Sequence, residues 1–525
     1  MNKVLRSAIL LATTMLSVSA CSKDIPVPSI GPRYRPDGVD ENNIAFTSDD
    51  INQESFGGLG VEWGAYEDTD KIIEGGWEKA LKHMDHLGAQ RVRLMVSYDW
   101  FCQKFDDKGT KDHNDDTWVY NFNNKYARNM FDILDYCQTH DMEVAFGAWN
   151  VIADLSNGGA NDVWGMMEEV TSDIRWAKIT ADTLDFLVKQ KGYTCIKWFV
   201  NSNEPNYSGR EGSSKNYNNT YAIWEQGVKN VRNALDKQGL TNIGIVGGDT
   251  TGLAGTTEYL TNIARNIATE VGDYGCHLYL SNIDVDRGQM FTQIDQIYRT
   301  IQALDPELGK SRQANVWEAG LLDGKTPDDR QTLITEASYA VRMTDYTIQC
   351  LAGGINGVVF WDFDDAMHFM YGDNNVVTPK EWGMFSSLAG ASSGMQELRP
   401  WYHSSSLLCH LFRRGNKIYS PLQNLPLDQR GKYNMFRSLA TISPDGKQGG
   451  FVAVNSSTKA VTKTFYMDDT VQGNQLYIYE FNENSYKLNS EGYIEPNYVI
   501  EGSLNKKITL TIPSGTFFVV SNGRL

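Results

Sequence analysis

From Gly57 onward, short apolar runs alternate with polar loops and helical periodicities. In order the runs are GGLGVEW (57–63), RVRLMVS (91–97), EVAFGAW (143–149), IKWFVNS (196–202), IGIVGGD (243–249), YGCHLYL (274–280), NVWEAG (315–320) and GVVFWDF (357–363). Each has the length of a buried strand rather than of a helix. Between the second and third, Tyr126, Met130, Ile133, Leu134 and Cys137 share one face of a 3.6-residue period; Tyr221, Trp224, Val228, Val231 and Leu235 do the same between the fourth and fifth. A helical pattern over 331–352 stops at Gly353-Gly354, and 400–415 supplies a last helix. Eight βα units in series predict an α/β fold, a (β/α)8 TIM barrel, with functional residues at the C-terminal ends of its strands.

Past residue 416 the period changes from helical to alternating. Segments such as GGFVAVNSS, NQLYIYEFNEN and KKITLTIPSGTFFVVSN are split by Gly, Asn and Asp turns, which predicts a small C-terminal antiparallel β-sandwich. Residues 41–50 are a candidate further strand of it. The expected organisation is a leader at 1–20, an extended tether at 21–40, a catalytic barrel at 41–416 and the sandwich at 417–525.

The leader and tether are read from composition. Lys3 and Arg6 precede the apolar stretch AILLATTML, which is too short to span a bilayer, and SVSAC places small residues before Cys21. This resembles a bacterial lipoprotein signal, which implies lipidation at Cys21 and a chain anchored to the cell envelope, at the outer membrane or cell surface. The proline-rich SKDIPVPSIGPRYRPDG then reads as a spacer. Membrane contact is expected only through that anchor, and the chain is expected to be a monomer. A net charge of −17 with no basic run opposes nucleic-acid phosphates and anionic lipid. Six scattered cysteines beyond Cys21, with no CxxC, predict mostly free, buried thiols. His83 and His86 have no clustered partners, so a metal site is not expected there; the chemistry read from the strand ends below calls for no metal and no organic cofactor.

The strand ends carry the chemistry. Asn203 and Glu204 close the fourth run, Glu318 lies in the seventh, Arg93 in the second, His277 and Tyr279 in the sixth, and Trp361 with Asp362 in the eighth. Pro205 biases Glu204 toward extended backbone at a strand edge. Hydrolysing an acetal takes one acid to protonate the leaving oxygen and a second carboxylate to attack or to activate water, and Glu204 and Glu318 supply the pair. Thirteen tryptophans are generous, and aromatic faces stack on sugar rings. Trp63 and Trp149, ending the first and third runs, read either as sugar platforms or as core; His277 reads either as a substrate contact or as a satisfied core histidine. Glu62 and Asp249 receive no role.

This set resembles clan A of the retaining glycoside hydrolases, which includes families 5, 30 and 39. The resemblance implies a carbohydrate substrate, cleavage of O-glycosyl bonds between β-linked sugars, Glu204 as acid/base and Glu318 as nucleophile. It also implies that Arg93 supports the nucleophile, Asn203 meets the sugar 2-hydroxyl, Tyr279 bonds to Glu318 and Trp361 forms the platform of the reactive subsite. Trp149-Asn150 stands where family 5 usually has a His, and the GGD ending the fifth run is closer to family 39, so the family stays open. An ionised Glu318 is expected to raise the pKa of Glu204 and keep it protonated. The rival reading is a non-catalytic glycan-binding lipoprotein on a degenerate barrel, which would have no need of both glutamates together with Arg93 and Tyr279.

Overall fold

The computed structural model describes residues 42–64, 75–106, 108–112, 115–150, 171–206, 217–327, 329–365, 369–371, 377–379, 381–386, 397–421, 435–468, 471 and 473–525. The leader, Cys21 and the tether lie outside the described residues.

All eight expected strands are present and parallel: Gly58–Glu62, Arg91–Ser97, Glu143–Asn150, Ile196–Val200, a fifth in two segments, Asp273–Leu280, Gln313–Leu321 and Gly357–Phe360. The fifth strand closes the ring by being broken. Its first segment, Gly244–Ile245, pairs with the fourth strand, and its second, Gly248–Thr251, pairs with the sixth. The break falls where only glycine fits: a Cβ on Gly247 would lie 2.2 Å from the Asp273 carbonyl oxygen, and Gly248 has φ +114°. After each strand in turn comes one long helix, among the described residues: Gly76–Leu87, Lys125–Thr139, Ile174–Asp185, Tyr217–Lys237, Leu253–Asn266, Gln289–Leu304, Ala337–Ala352 and Pro400–Leu411. The Tyr221-to-Leu235 face is buried, as is the second helix's face apart from the half-buried Tyr126. The seventh helix begins at Ala337 rather than at residue 331, because 331–336 form turns tied down by Gln331 and Glu336.

Strand periodicity determines what the barrel interior holds. In the second strand Arg91 and Arg93 point inward at successive levels. Arg91 is held below by Asn315 at 2.7 Å and Gln313 at 2.9 Å. An apolar cluster that includes Met95, Val200, Val246, Trp317 and Val359 packs the barrel interior. The barrel is therefore solid, and chemistry is confined to its upper end.

The C-terminal sheets face each other across a second apolar core that includes Phe46, Phe451, Phe465 and Phe518. One has seven strands and the other three. Before Gly58 the described strands belong to these sheets and not to the barrel: Asn43–Phe46 runs parallel to Val461–Met467, and Ile51–Gln53 pairs with Lys417–Tyr419. A boundary at residue 41 thus falls before two strands that cover edges of the sandwich. All six described cysteines are free and buried.

The two parts are joined by a buried ion pair. Arg437 of the sandwich reaches Asp345 on the helix Ala337–Ala352, and Ser456 donates to the same carboxylate at 2.8 Å. Removing one member strands the other, so Asp345→Ala should cost about 3–5 kcal/mol in denaturant unfolding, whereas the paired change Asp345→Leu with Arg437→Met should cost much less. Equal losses in both variants would mean that the pair does not hold the joint.

Candidate active site

The upper end of the barrel is organised around one guanidinium. Arg93 is fully buried, and its Nη1 donates to Glu62 Oε2 at 2.6 Å and to Glu318 Oε1 at 2.8 Å. Its Nη2 donates to Asn203 Oδ1 and Asp249 Oδ2, both at 2.8 Å. These four partners come from the first, seventh, fourth and fifth strands or the residues just after them, so one side chain ties together half the barrel. The Trp149 ring centroid lies 5.4 Å from the Arg93 Cζ, a cation–π contact on the guanidinium.

The sixth strand adds two groups by its period of two. Tyr279 donates its hydroxyl to Glu318 Oε2 at 2.7 Å. His277, wholly buried, faces Asp249 Oδ1 through Nε2 at 2.9 Å; its Nδ1 faces Glu204 Oε1 at 3.0 Å and Glu318 Oε2 at 3.3 Å. One oxygen of Glu204 and one of Glu318 lie within 4.8 Å of each other. The Glu318 side chain is 6% exposed and that of Glu204 21%, so Glu318 forms the floor and Glu204 the rim.

Glu204 and Asp249 adopt left-handed backbone, with φ +46° and +52°. For residues with a Cβ that conformation is costly and persists only when the surroundings impose it. Here they do so: the Glu204 amide donates to the Asp249 carbonyl at 3.0 Å. Asn206 then clasps Thr251 by accepting from its amide at 2.8 Å and donating to its carbonyl at 2.7 Å.

Charge is distributed unevenly across the cluster. Burial pushes Glu62 up to about 8 despite Arg93. Burial also raises Glu318, with His277 and Arg93 opposing. On Asp249 burial is outweighed by Arg93 and His277, which hold it below its ordinary value. Burial disfavours a charge on His277, but Asp249 and Glu318 prevail and push it up to about 10. Glu204 departs from expectation. Burial would raise it, yet the hydrogen bond and charge of His277 bring it below the ordinary carboxylate value. Glu204 is lowered rather than raised because His277 stands in direct contact with it, 3.0 Å from Oε1.

Of the residues singled out in the sequence, the structure brings Arg93, Asn203, Glu204, His277, Tyr279 and Glu318 into one network. Trp361 and Trp149 stand edge to face beside it, with ring centroids 5.9 Å apart and little exposure. Trp63 is not there. It is 1% exposed and packs against Trp77, Tyr136 and Phe363, so it is core and not a sugar platform. Sequence reasoning left out Glu62, Asp249 and Trp382, whose ring meets Tyr279 edge to face at 5.7 Å. Glu62 and Asp249 could have been found by the rule that identified the others, since both end barrel strands. Trp382 sits in a loop and carries no periodic signal.

Glu62 yields a pH test. A carboxyl whose folded pKa lies above its unfolded value near 4.5 stabilises the fold fully below that value, and the contribution is lost as pH rises through about 8. Glu62→Gln should therefore flatten the fall in thermal stability between about pH 5 and 8. A variant with an unchanged pH slope would show that Glu62 is ionised in the folded protein.

No family model matches this sequence, and no curated protein matches it either. Solved structures do resemble the fold. One is a GH30 endoxylanase from Clostridium papyrosolvens, at TM-score 0.56 and 13% identity over 92% of this chain and 100% of that one. A GH39 β-xylosidase from Caulobacter crescentus aligns at TM-score 0.56 and 14% identity, over 91% of this chain and 99% of that one. A family 51 α-L-arabinofuranosidase from Bifidobacterium longum gives TM-score 0.55 and 12% identity, over 92% and 100%. Over more than nine-tenths of its length, this chain shares its fold with glycoside hydrolases of families 30, 39 and 51.

Proposed function

We propose that the protein is a retaining glycoside hydrolase that cleaves β-linked poly- or oligosaccharides by double displacement, with Glu318 as nucleophile and Glu204 as acid/base. The observation that carries this reading is the spacing of the two glutamates. Facing oxygens within 4.8 Å suit the carboxyl separation of about 5–5.5 Å found in retaining enzymes better than the roughly 6.5–9.5 Å of an inverting pair. The surroundings fit the two roles. Arg93 and Tyr279 aim donors at Glu318, favouring its anion and orienting it for attack on the anomeric carbon. Glu204 stands at the rim, where a leaving-group oxygen arrives. Asn203, fixed by Arg93 next to Glu204, is placed to meet a sugar hydroxyl, and Trp361 offers an aromatic wall. The fold supports the class of reaction but selects no sugar, since the similar structures comprise an endoxylanase, a β-xylosidase and an α-L-arabinofuranosidase. A protein that only held glycans would gain nothing from a buried carboxyl group under two donors.

The proposal includes the lipid anchor at Cys21 and a place in the cell envelope. Cys21→Ala should release the protein from membrane fractions while leaving its activity intact; retention in the membrane would refute the anchor.

The two glutamates should fail differently. Glu318→Ala should abolish turnover of every glycoside. Glu204→Ala should still form a glycosyl-enzyme from a dinitrophenyl glycoside, whose leaving group needs no proton, and azide should restore its breakdown because a small anion needs no base. Wild-type turnover in either variant would remove that residue from the mechanism.

A further inference from the structure

The reading above requires a proton on Glu204, yet His277 stands 3.0 Å from its Oε1 and holds Glu204 below the ordinary carboxylate value. We propose that Asp249 is a positioning residue that keeps His277 doubly protonated, so that the Asp249–His277 pair stores the proton Glu204 passes to the leaving oxygen. This inference rests on the acid/base reading of Glu204.

The geometry carries it. Both ring nitrogens of His277 face carboxylate oxygens, Nε2 at 2.9 Å from Asp249 and Nδ1 at 3.0 Å from Glu204. A ring nitrogen beside an ionised carboxylate needs its hydrogen, and two such neighbours call for the imidazolium. Asp249 cannot turn away, because its other oxygen accepts from Arg93 at 2.8 Å, and arginine keeps its charge. The Asp249 carbonyl also anchors the Glu204 amide. One residue in a left-handed conformation therefore positions both partners of the transfer. His277 has no solvent exposure, so its proton leaves through a neighbouring side chain. The groups facing it are Asp249 from the fifth strand, Glu204 beyond the fourth and Glu318 from the seventh; Glu62, Arg93 and Tyr279 complete the shell around these. The upward shift of His277 and the downward shift of Asp249 agree with this arrangement.

The steps balance. The Nδ1–H bond breaks, its electron pair stays on nitrogen, and the proton bonds to Glu204 Oε1. That O–H bond breaks in turn as the glycosidic oxygen takes the proton and leaves with the C–O pair, while the sugar carbon bonds to Glu318. In the second displacement water attacks the same carbon, its proton passes to Glu204 and on to Nδ1, and Glu318 departs as carboxylate. Nε2 keeps its hydrogen toward Asp249 throughout.

The test combines nitrogen-15 NMR of histidine-labelled protein, with the His277 signals assigned by their loss in His277→Gln, and pH profiles of kcat/KM. In the wild type both ring nitrogens of His277 should remain protonated at pH 8. In Asp249→Asn the imidazolium should titrate at least about one unit lower, and the alkaline limb of kcat/KM should move down with it; Asp249→Glu should restore part of the shift. A singly protonated His277 at pH 7 in an active wild-type enzyme overturns the proposal and needs no variant to fold. So does a loss in Asp249→Asn that is equal at every pH with the alkaline limb unmoved. A chain inert toward glycosides whose His277 is doubly protonated instead overturns the functional reading, and catalytic use of the stored proton with it.

Discussion

A guanidinium buried at the centre of a barrel must be neutralised where it stands, because an uncompensated interior charge costs several kcal/mol. Arg93 meets that demand with Glu62, Asn203, Asp249 and Glu318, and the rest of the site follows from this constraint. Four carboxyl groups surround Arg93 and His277. They cannot all ionise at comparable ease. Burial holds Glu62 above its ordinary value, and Arg93 and His277 hold Asp249, which lies between them, below its own. Glu318 and Glu204 occupy the remaining positions, one at the floor and one at the rim.

The scaffold makes this arrangement affordable. Each member sits on a barrel strand or just beyond its end, where parallel pairing determines position to within a residue, and the apolar residues packed in the barrel interior help to exclude water from the guanidinium. The irregular places are concentrated here as well. The fifth strand is interrupted at Gly247-Gly248, and two acidic residues take left-handed backbone beside the break. Without that interruption Asp249 would follow the ordinary alternation of a strand. With it, the carboxylate reaches Arg93 and His277 at once.

Much of the fold could be read from the chain because buried parallel strands are continuous apolar runs and their covering helices keep a 3.6-residue face. The second strand shows how far such reading extends to the site: in Arg91-Val92-Arg93 the alternation says that two arginines enter a barrel, and a buried arginine needs carboxylates. It does not say which ones. Glu62 and Asp249 look like any polar residue that ends a strand, and only the closed ring brings them to the same guanidinium. Trp63 misled for a related reason. It follows the first strand in sequence, but its ring turns outward to the helical layer, a direction that one position of backbone phase decides. The lowered pKa of Glu204 was illegible too, because it depends on a hydrogen bond from a residue 73 positions away.

The central claim is that Glu318 attacks the sugar directly while Glu204 serves as acid and then as base. The most direct measurement is proton NMR of the anomeric configuration of the first product released from a glycoside substrate, recorded before mutarotation. Two displacements at the anomeric carbon predict a product with the configuration of the substrate. A first product of inverted configuration would mean that water attacks in a single step, and would contradict the account.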